Sequence, residues 1–202
     1  ESDLFIIVSA MGKTTNALER VFSHMQNGRK EEANEEIKQV QDYHAAIIDD
    51  LWGEPTNINE VTLLFGQLRN IVNDIVYRQS DAELWYDTIV AYGELISTTI
   101  ISKYLNHIGM RNRWIDMRTT LLTNQRHKDA NVDIKASKHR LRASIENTGV
   151  GVFVGQGFIG GAPDGTTTTL GREGSDYSAA VVAHILNAES MSVWKDVDGV
   201  LN

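Results

Sequence analysis

The segment that most constrains the fold is Leu4 to Val8, LFIIV, an unbroken apolar run rich in β-branched and aromatic residues. With no polar residue to face water on either side, it suits a strand buried on both faces of a parallel sheet. Helical spacing takes over at once. Ala17, Leu18, Val21, Phe22 and Met25 predict a helix from Asn16 that stops at Asn27-Gly28. Arg29 to Trp52, with Ile37, Val40, His44, Ile47, Ile48 and Leu51 on one stripe, predicts a second amphipathic helix. Asn59 to Gln79 predicts a third, and Asp81 can cap a fourth running to about Asn106.

Past Gly109 the pattern changes. WIDM at 114–117 reads as a short buried strand, Val132 to Asn147 as a mixed polar stretch, and Val150 to Val154 as a strong strand. Tyr177 to Leu186 then reads as an amphipathic helix, followed by a strand at Met191 to Trp194 and a turn at Asp196 to Gly199. This alternation predicts an α/β domain with a mainly parallel sheet and a helix-rich insertion in its N-terminal half. At 202 residues, one core is the default expectation.

Nineteen Lys and Arg against 27 Asp and Glu leave a net charge of −8, which disfavours a broad phosphate-neutralising surface for nucleic acid. The absence of cysteine excludes disulfides, thiolate metal sites and Cys nucleophiles. No apolar run approaches the roughly 20 residues that span a bilayer. The first residues lack a basic region ahead of their apolar run, so a cytoplasmic chain is expected, neither exported nor anchored. The six histidines show no ligand spacing and the four tryptophans read as packing.

Three motifs bear on chemistry. Gly12-Lys13-Thr14 follows a strand like the end of a P-loop, but the required upstream glycine is Ile7, inside the strand. What remains is a strand delivering Ser9, Thr14 and Thr15 to a helix start, where they can meet an anion or simply cap. Gly155, Gly157 and Gly160 spell G-x-G-x-x-G after a strand, but a turn-forming Gly161-Ala162-Pro163-Asp164-Gly165 follows where a dinucleotide fold needs a helix. The third motif is richer. Gly165 to Asp176 packs four threonines, Arg172, Ser175 and Asp176 ahead of a helix. That composition suits either an anion site or an ordinary loop with Asp176 as N-cap.

GFIGG at 157–161, TTTTLGREGSDYSAA at 166–180 and VWKDVDGV at 193–200 occur in that order, with VSAMGKTTN at 8–16 and YGELIST at 92–98 before them. Together they resemble the aspartate kinase branch of the amino-acid kinase family. The resemblance implies a three-layer α/β sandwich, and transfer of the ATP γ-phosphoryl, with Mg²⁺, to the side-chain carboxylate of L-aspartate. That reaction opens the route to lysine, threonine and methionine. It implies that Ser9, Thr15 and Phe158 line the acceptor pocket and that Glu94 meets the aspartate amino group. Arg172 would pair with an aspartate carboxylate, and Ser175 and Asp176 would sit at the acceptor and phosphoryl end, Arg172 and Asp176 carrying the catalytic roles. Lys195 and Asp196 would contact the nucleotide. No protein metal ligand is implied.

The resemblance further implies a Lys-Phe-Gly-Gly strand ahead of Glu1 and small regulatory domains beyond Asn202. Residues 1–202 are thus expected to be a catalytic domain without them, able to bind its ligands but lacking a lysine used in turnover. Glu173 and Lys195 depart from the family, where glycine and threonine are common. Expected partners are aspartate, ATP and further copies of the chain, with no nucleic acid or membrane. The alternatives are another amino-acid kinase, acting on glutamate, acetylglutamate, carbamate or a nucleotide, and an inactive binding fragment.

Overall fold

The computed structural model describes residues 3–74 and 76–195. Leu4–Val8 forms β1, Arg113–Ile115 β2 and Val152–Gln156 β3, joined as a parallel sheet in the order β1-β3-β2. The register places Ile6 and Trp114 on either side of Val154. The helices of the N-terminal half are α1 (Thr14–Gln26), α2 (Lys30–Trp52), α3 (Asn59–Asp74), α4 (Ala82–Val90) and α5 (Tyr92–His107). Met117–Thr120 forms α6, Ile134–Ile145 α7 and Gly174–Leu186 α8. Ile159–Gly161 (β4) and Thr167–Thr169 (β5) pair as a separate antiparallel hairpin.

The layers follow from which side chains each strand offers. Phe5, Ile7, Phe153 and Ile115 pack with Leu141 of α7 and with Val181, Val182 and Ile185 of α8. The opposite face receives α5, which packs on β3 and carries behind it the core formed by α1 to α4. The chain is a three-layer α/β fold with helices on both faces of a parallel sheet; the stripes that predicted α1 and α2 face the core, whereas the third helix, expected to reach Gln79, ends at Asp74 and leaves Val76 81% exposed.

Several local expectations are corrected. The polar stretch 132–147 contains α7, started by Asp133, whose carboxylate accepts from Ala136 N at 2.9 Å. Only Ser137 and Leu141 of α7 are buried, a stripe too narrow to stand out among its charges. The helix expected from Asp81 to Asn106 is two helices, α4 and α5, separated at Ala91. The strand expected at Met191–Trp194 is coil, with Trp194 92% exposed. Helix α8 begins at Gly174, so Asp176 lies in its first turn, and the residue before the helix is Glu173, at φ +55°.

Candidate functional site

The carboxyl ends of β1 and β3 lie side by side, and the loops that leave them open a cleft of about 300 Å³. After β1 the chain turns through Ser9 to Lys13 into α1. Gly93 on α5 permits that turn to come close: an added Cβ would sit 2.8 Å from the Ala10 Cβ. The next residue, Glu94, accepts the Ala10 N–H at 3.1 Å through Oε1, while Ser97 Oγ donates to the Ser9 carbonyl at 2.8 Å. Helix α5 and the β1 turn are therefore locked together at the cleft floor.

The opposite wall begins where β3 ends. Gly157 N–H donates to the Val8 carbonyl at 2.9 Å, and an added Cβ on Gly157 would lie 2.5 Å from Ser175 Oγ, so glycine is what lets α8 approach. Phe158 then takes a left-handed conformation at φ +65°. Its N–H donates to Ser178 Oγ at 3.0 Å and its carbonyl accepts from Leu170 N at 2.9 Å. This bonding holds a strained aromatic residue against the cleft. Gly171 and Glu173 are also left-handed, a path that ends in the first turn of α8. Among the described residues the Ser175 and Asp176 amides have no backbone acceptor, so the helix terminus offers them to an anion.

Electrostatics divide the cleft. Glu94 is 3% exposed, its Oε2 has no partner among the described residues, and burial pushes its pKa up to about 8, opposed by the Ala10 bond. At the other end Lys195 Nζ bridges Asp176 at 2.7 Å and Glu173 at 3.0 Å. These bonds, the one to Asp176 first, push the lysine up to about 12. A buried carboxyl held well above its ordinary pKa thus faces a charged network across a space the size of a small ligand.

Of the residues singled out in the sequence, Ser9, Thr15, Glu94, Phe158, Ser175, Asp176 and Lys195 all line this cleft. Arg172 does not, although its neighbours Gly171 and Glu173 do; it is exposed and bonds to nothing among the described residues. Asp196 lies outside the described residues. Gly171, Glu173 and Gly174 complete the lining; the two glycines let backbone approach an anion, whereas Glu173 stands out in the sequence only as a departure from the family.

The threonine run is corrected. Thr166 Oγ1 donates to Asp164 at 2.7 Å, Thr168 shares a 2.7 Å bond with Thr123, and Thr169 Oγ1 donates to Asp87 at 2.6 Å. These hydroxyls are committed to the scaffold, and the anion wall starts beyond them at Gly171. His127, read as ordinary surface or core, bonds Asp87 at 2.9 Å. No group of three or more His, Cys, Asp or Glu that could hold a metal occurs among the described residues. No described helix is long and apolar enough to cross a membrane.

Comparison with known proteins places these features in context. Residues 1–202 match the amino acid kinase family over the whole chain. Lysine-sensitive aspartokinase 3 of Escherichia coli (strain K12) is 31% identical over 196 residues, covering 96% of this chain and 42% of that protein. Chloroplastic aspartokinase 1 of Arabidopsis thaliana is 32% identical over 212 residues, covering 100% of this chain and 36% of that protein. The crystal structure of E. coli aspartokinase III in complex with aspartate and ADP (R-state) superposes with a TM-score of 0.84 at 29% identity, over 97% of this chain and 43% of that one. The chain therefore spans about two fifths or less of these relatives' length.

Proposed function

This chain belongs to the amino acid kinase family, and from that membership we propose that the protein containing it phosphorylates the side-chain carboxylate of L-aspartate with ATP. The observation that carries this reading is Glu94, a buried carboxyl with one unpaired oxygen, set across the cleft from the free amides that begin α8. An amino-acid acceptor satisfies both ends, its ammonium on Glu94 and a carboxylate at the helix terminus. Aspartate, in place of another such acceptor, is favoured by the ligands of the E. coli structure.

The chemistry asks little of a base. The acceptor oxygen is already anionic, so rate comes from alignment and from offsetting charge as the phosphoryl moves. Glu94 releases its proton to solvent as it receives the already protonated ammonium, and the resulting ion pair fixes the acceptor. Ser9 and Thr15 offer hydroxyls to its polar groups, and Phe158 excludes water from one side. Ser175 and Asp176 stand at the phosphoryl end. Arg172, free in solvent between two cleft residues, turns onto an acceptor carboxylate. Lys195 and Asp196 contact the nucleotide.

Mg²⁺ would be held chiefly by the nucleotide phosphates and water, since it commonly keeps several waters; Asp176 or Glu173 could add a carboxylate only by giving up its bond to Lys195. Bound there, it would neutralise phosphate charge. The reading includes a cytoplasmic setting and assembly with further copies of the chain, the latter open to light scattering.

The test is a coupled ADP-release assay with aspartate, glutamate, acetylglutamate, carbamate and nucleoside monophosphates as acceptors. Aspartate is expected to give turnover, with hydroxylamine trapping the acyl phosphate. Turnover with another acceptor and none with aspartate overturns the assignment.

A further inference from the structure

Asp87 is completely buried in α4, yet no lysine or arginine side chain neutralises it among the described residues. Four donors surround it. Thr169 gives its amide to Oδ2 at 3.1 Å and its hydroxyl to Oδ1 at 2.6 Å. The Lys128 amide reaches both oxygens, at 3.1 and 3.0 Å, and His127 Nδ1 lies 2.9 Å from Oδ2. A carboxylate that collects amides from two separate segments fixes those segments to its own helix.

What it fixes leads into the cleft. Thr169 closes β5; its carbonyl accepts from Ala130 N at 2.9 Å, and the next residue, Leu170, is bonded to the Phe158 carbonyl. Gly171, the first lining residue of the far wall, follows immediately. In the other direction, Asp87 lies seven residues before Glu94, on α4, which leads through Ala91 into α5. Two successive helices, joined at Ala91, thus carry the anchor of the opposite wall and the ammonium-directed carboxyl.

We infer that Asp87 is a positioning residue that sets the gap between Glu94 and the Gly171–Asp176 wall, and thereby the length of amino-acid acceptor the cleft prefers. The inference rests on the proposed reading of that cleft, in which an acceptor spans from Glu94 to the start of α8. A wall held by hydrogen bonds to a buried carboxylate has one seating, so an acceptor longer by one methylene meets it out of register. Loosening the anchor lets the wall yield. The loss then falls unequally on the two acceptors, unlike the uniform loss from general destabilisation.

The experiment is calorimetric binding, with ADP present, of aspartate and glutamate to the wild-type protein and to Asp87→Asn, Thr169→Val and Thr169→Ser. Wild type is expected to prefer aspartate. Asp87→Asn should lower the affinity ratio by about tenfold, since one methylene in a well-fitted pocket is worth roughly 10- to 200-fold. Thr169→Val, which removes only the 2.6 Å bond, should fall between, and Thr169→Ser should keep the wild-type ratio. If Asp87→Asn does not fold, the two Thr169 variants carry the comparison. An unchanged ratio in a folded Asp87→Asn or in Thr169→Val reduces Asp87 to scaffold and overturns the inference. If wild type binds a different amino acid instead, the proposed acceptor is wrong. The same ratio, taken between that ligand and its one-carbon homologue, then decides the role of Asp87.

Discussion

Two buried carboxylates on successive helices, Asp87 of α4 and Glu94 of α5, live in opposite surroundings. Asp87 meets donors at both oxygens, from β5 and from the loop at 127–128. Glu94 meets one amide and leaves Oε2 unpaired. Burial raises the pKa of both, but around Asp87 the hydrogen bonds of Thr169, Lys128 and His127 oppose the shift, whereas Glu94 has little to oppose it. A folded chain retains an unsatisfied buried carboxyl at a cost, and the structural surroundings of Asp87 prove that this fold can satisfy one when it needs to. The unpaired oxygen of Glu94 is therefore open to a ligand, whereas both oxygens of Asp87 are committed within the fold.

The widest expected effect follows from Glu94 alone. Its pKa is pushed from an ordinary 4.5 up to about 8, so between these values the folded protein holds a proton that the unfolded chain has released. Stability is then greatest below about pH 4.5 and falls as pH rises through about 8, by on the order of 4–5 kcal/mol. Asp87, also raised, contributes with the same sign, so the decisive measurement is urea unfolding of Glu94→Gln beside wild type from pH 5 to 8.5. The substitution should flatten the slope. Parallel slopes would mean that Glu94 is ionised in the folded protein, and the contrast would fail.

Truncation sharpens the same contrast. Asp87→Ala strands the Thr169 amide and hydroxyl and the Lys128 amide, and is expected to cost about 3–4 kcal/mol of stability. Glu94→Ala strands only the Ala10 amide and should cost about 1 kcal/mol at pH 8, where the lost carboxylate was itself unfavourable. Equal losses in chemical denaturation would break the distinction. Function should run the other way. Glu94→Gln removes a charge-assisted contact to the acceptor ammonium and should lower kcat/KM for aspartate by about 2–3 kcal/mol, roughly 30- to 150-fold, with the nucleotide KM little changed.

Periodicity carried the sequence reading where burial is broad and failed where single contacts decide. Helices α1 to α3 were legible because their stripes are the core of the helical half. Helix α7 was not, because it buries only Ser137 and Leu141 and its start rests on one Asp133 cap. The cleft residues were legible through ordered motifs, not through chemistry: Ser9, Glu94 and Ser175 are far apart in the chain and unremarkable alone. The threonine run misled for a physical reason, since hydroxyls bond equally well to a phosphate or to a buried aspartate. Asp87 itself gave no signal, because an acid within a helix reads as wet until β5 is seen to cover it.

The smallest expected effect concerns the charged end of the cleft, where the contrast with Glu94 is complete. Lys195 is 45% exposed at its side chain and bridges Asp176 and Glu173, themselves 39% and 71% exposed. Exposed ion pairs hold little energy and are screened by salt, so this bridge tunes the cleft without building it. Its pKa, pushed up to about 12 chiefly by Asp176, keeps the lysine charged throughout the working range. The bridge would be lost only as pH rises through that value, and salt, not pH, is the useful probe. Lys195→Met should change the ADP dissociation constant by about two- to fivefold at low salt, shrinking toward none near 0.5 M, because screening there acts within a few ångströms. Aspartate affinity should stay as in wild type. A large salt-independent loss would instead place Lys195 with Glu94, among the desolvated groups, and would erase the division between the buried carboxyl end and the solvated charged end of the cleft.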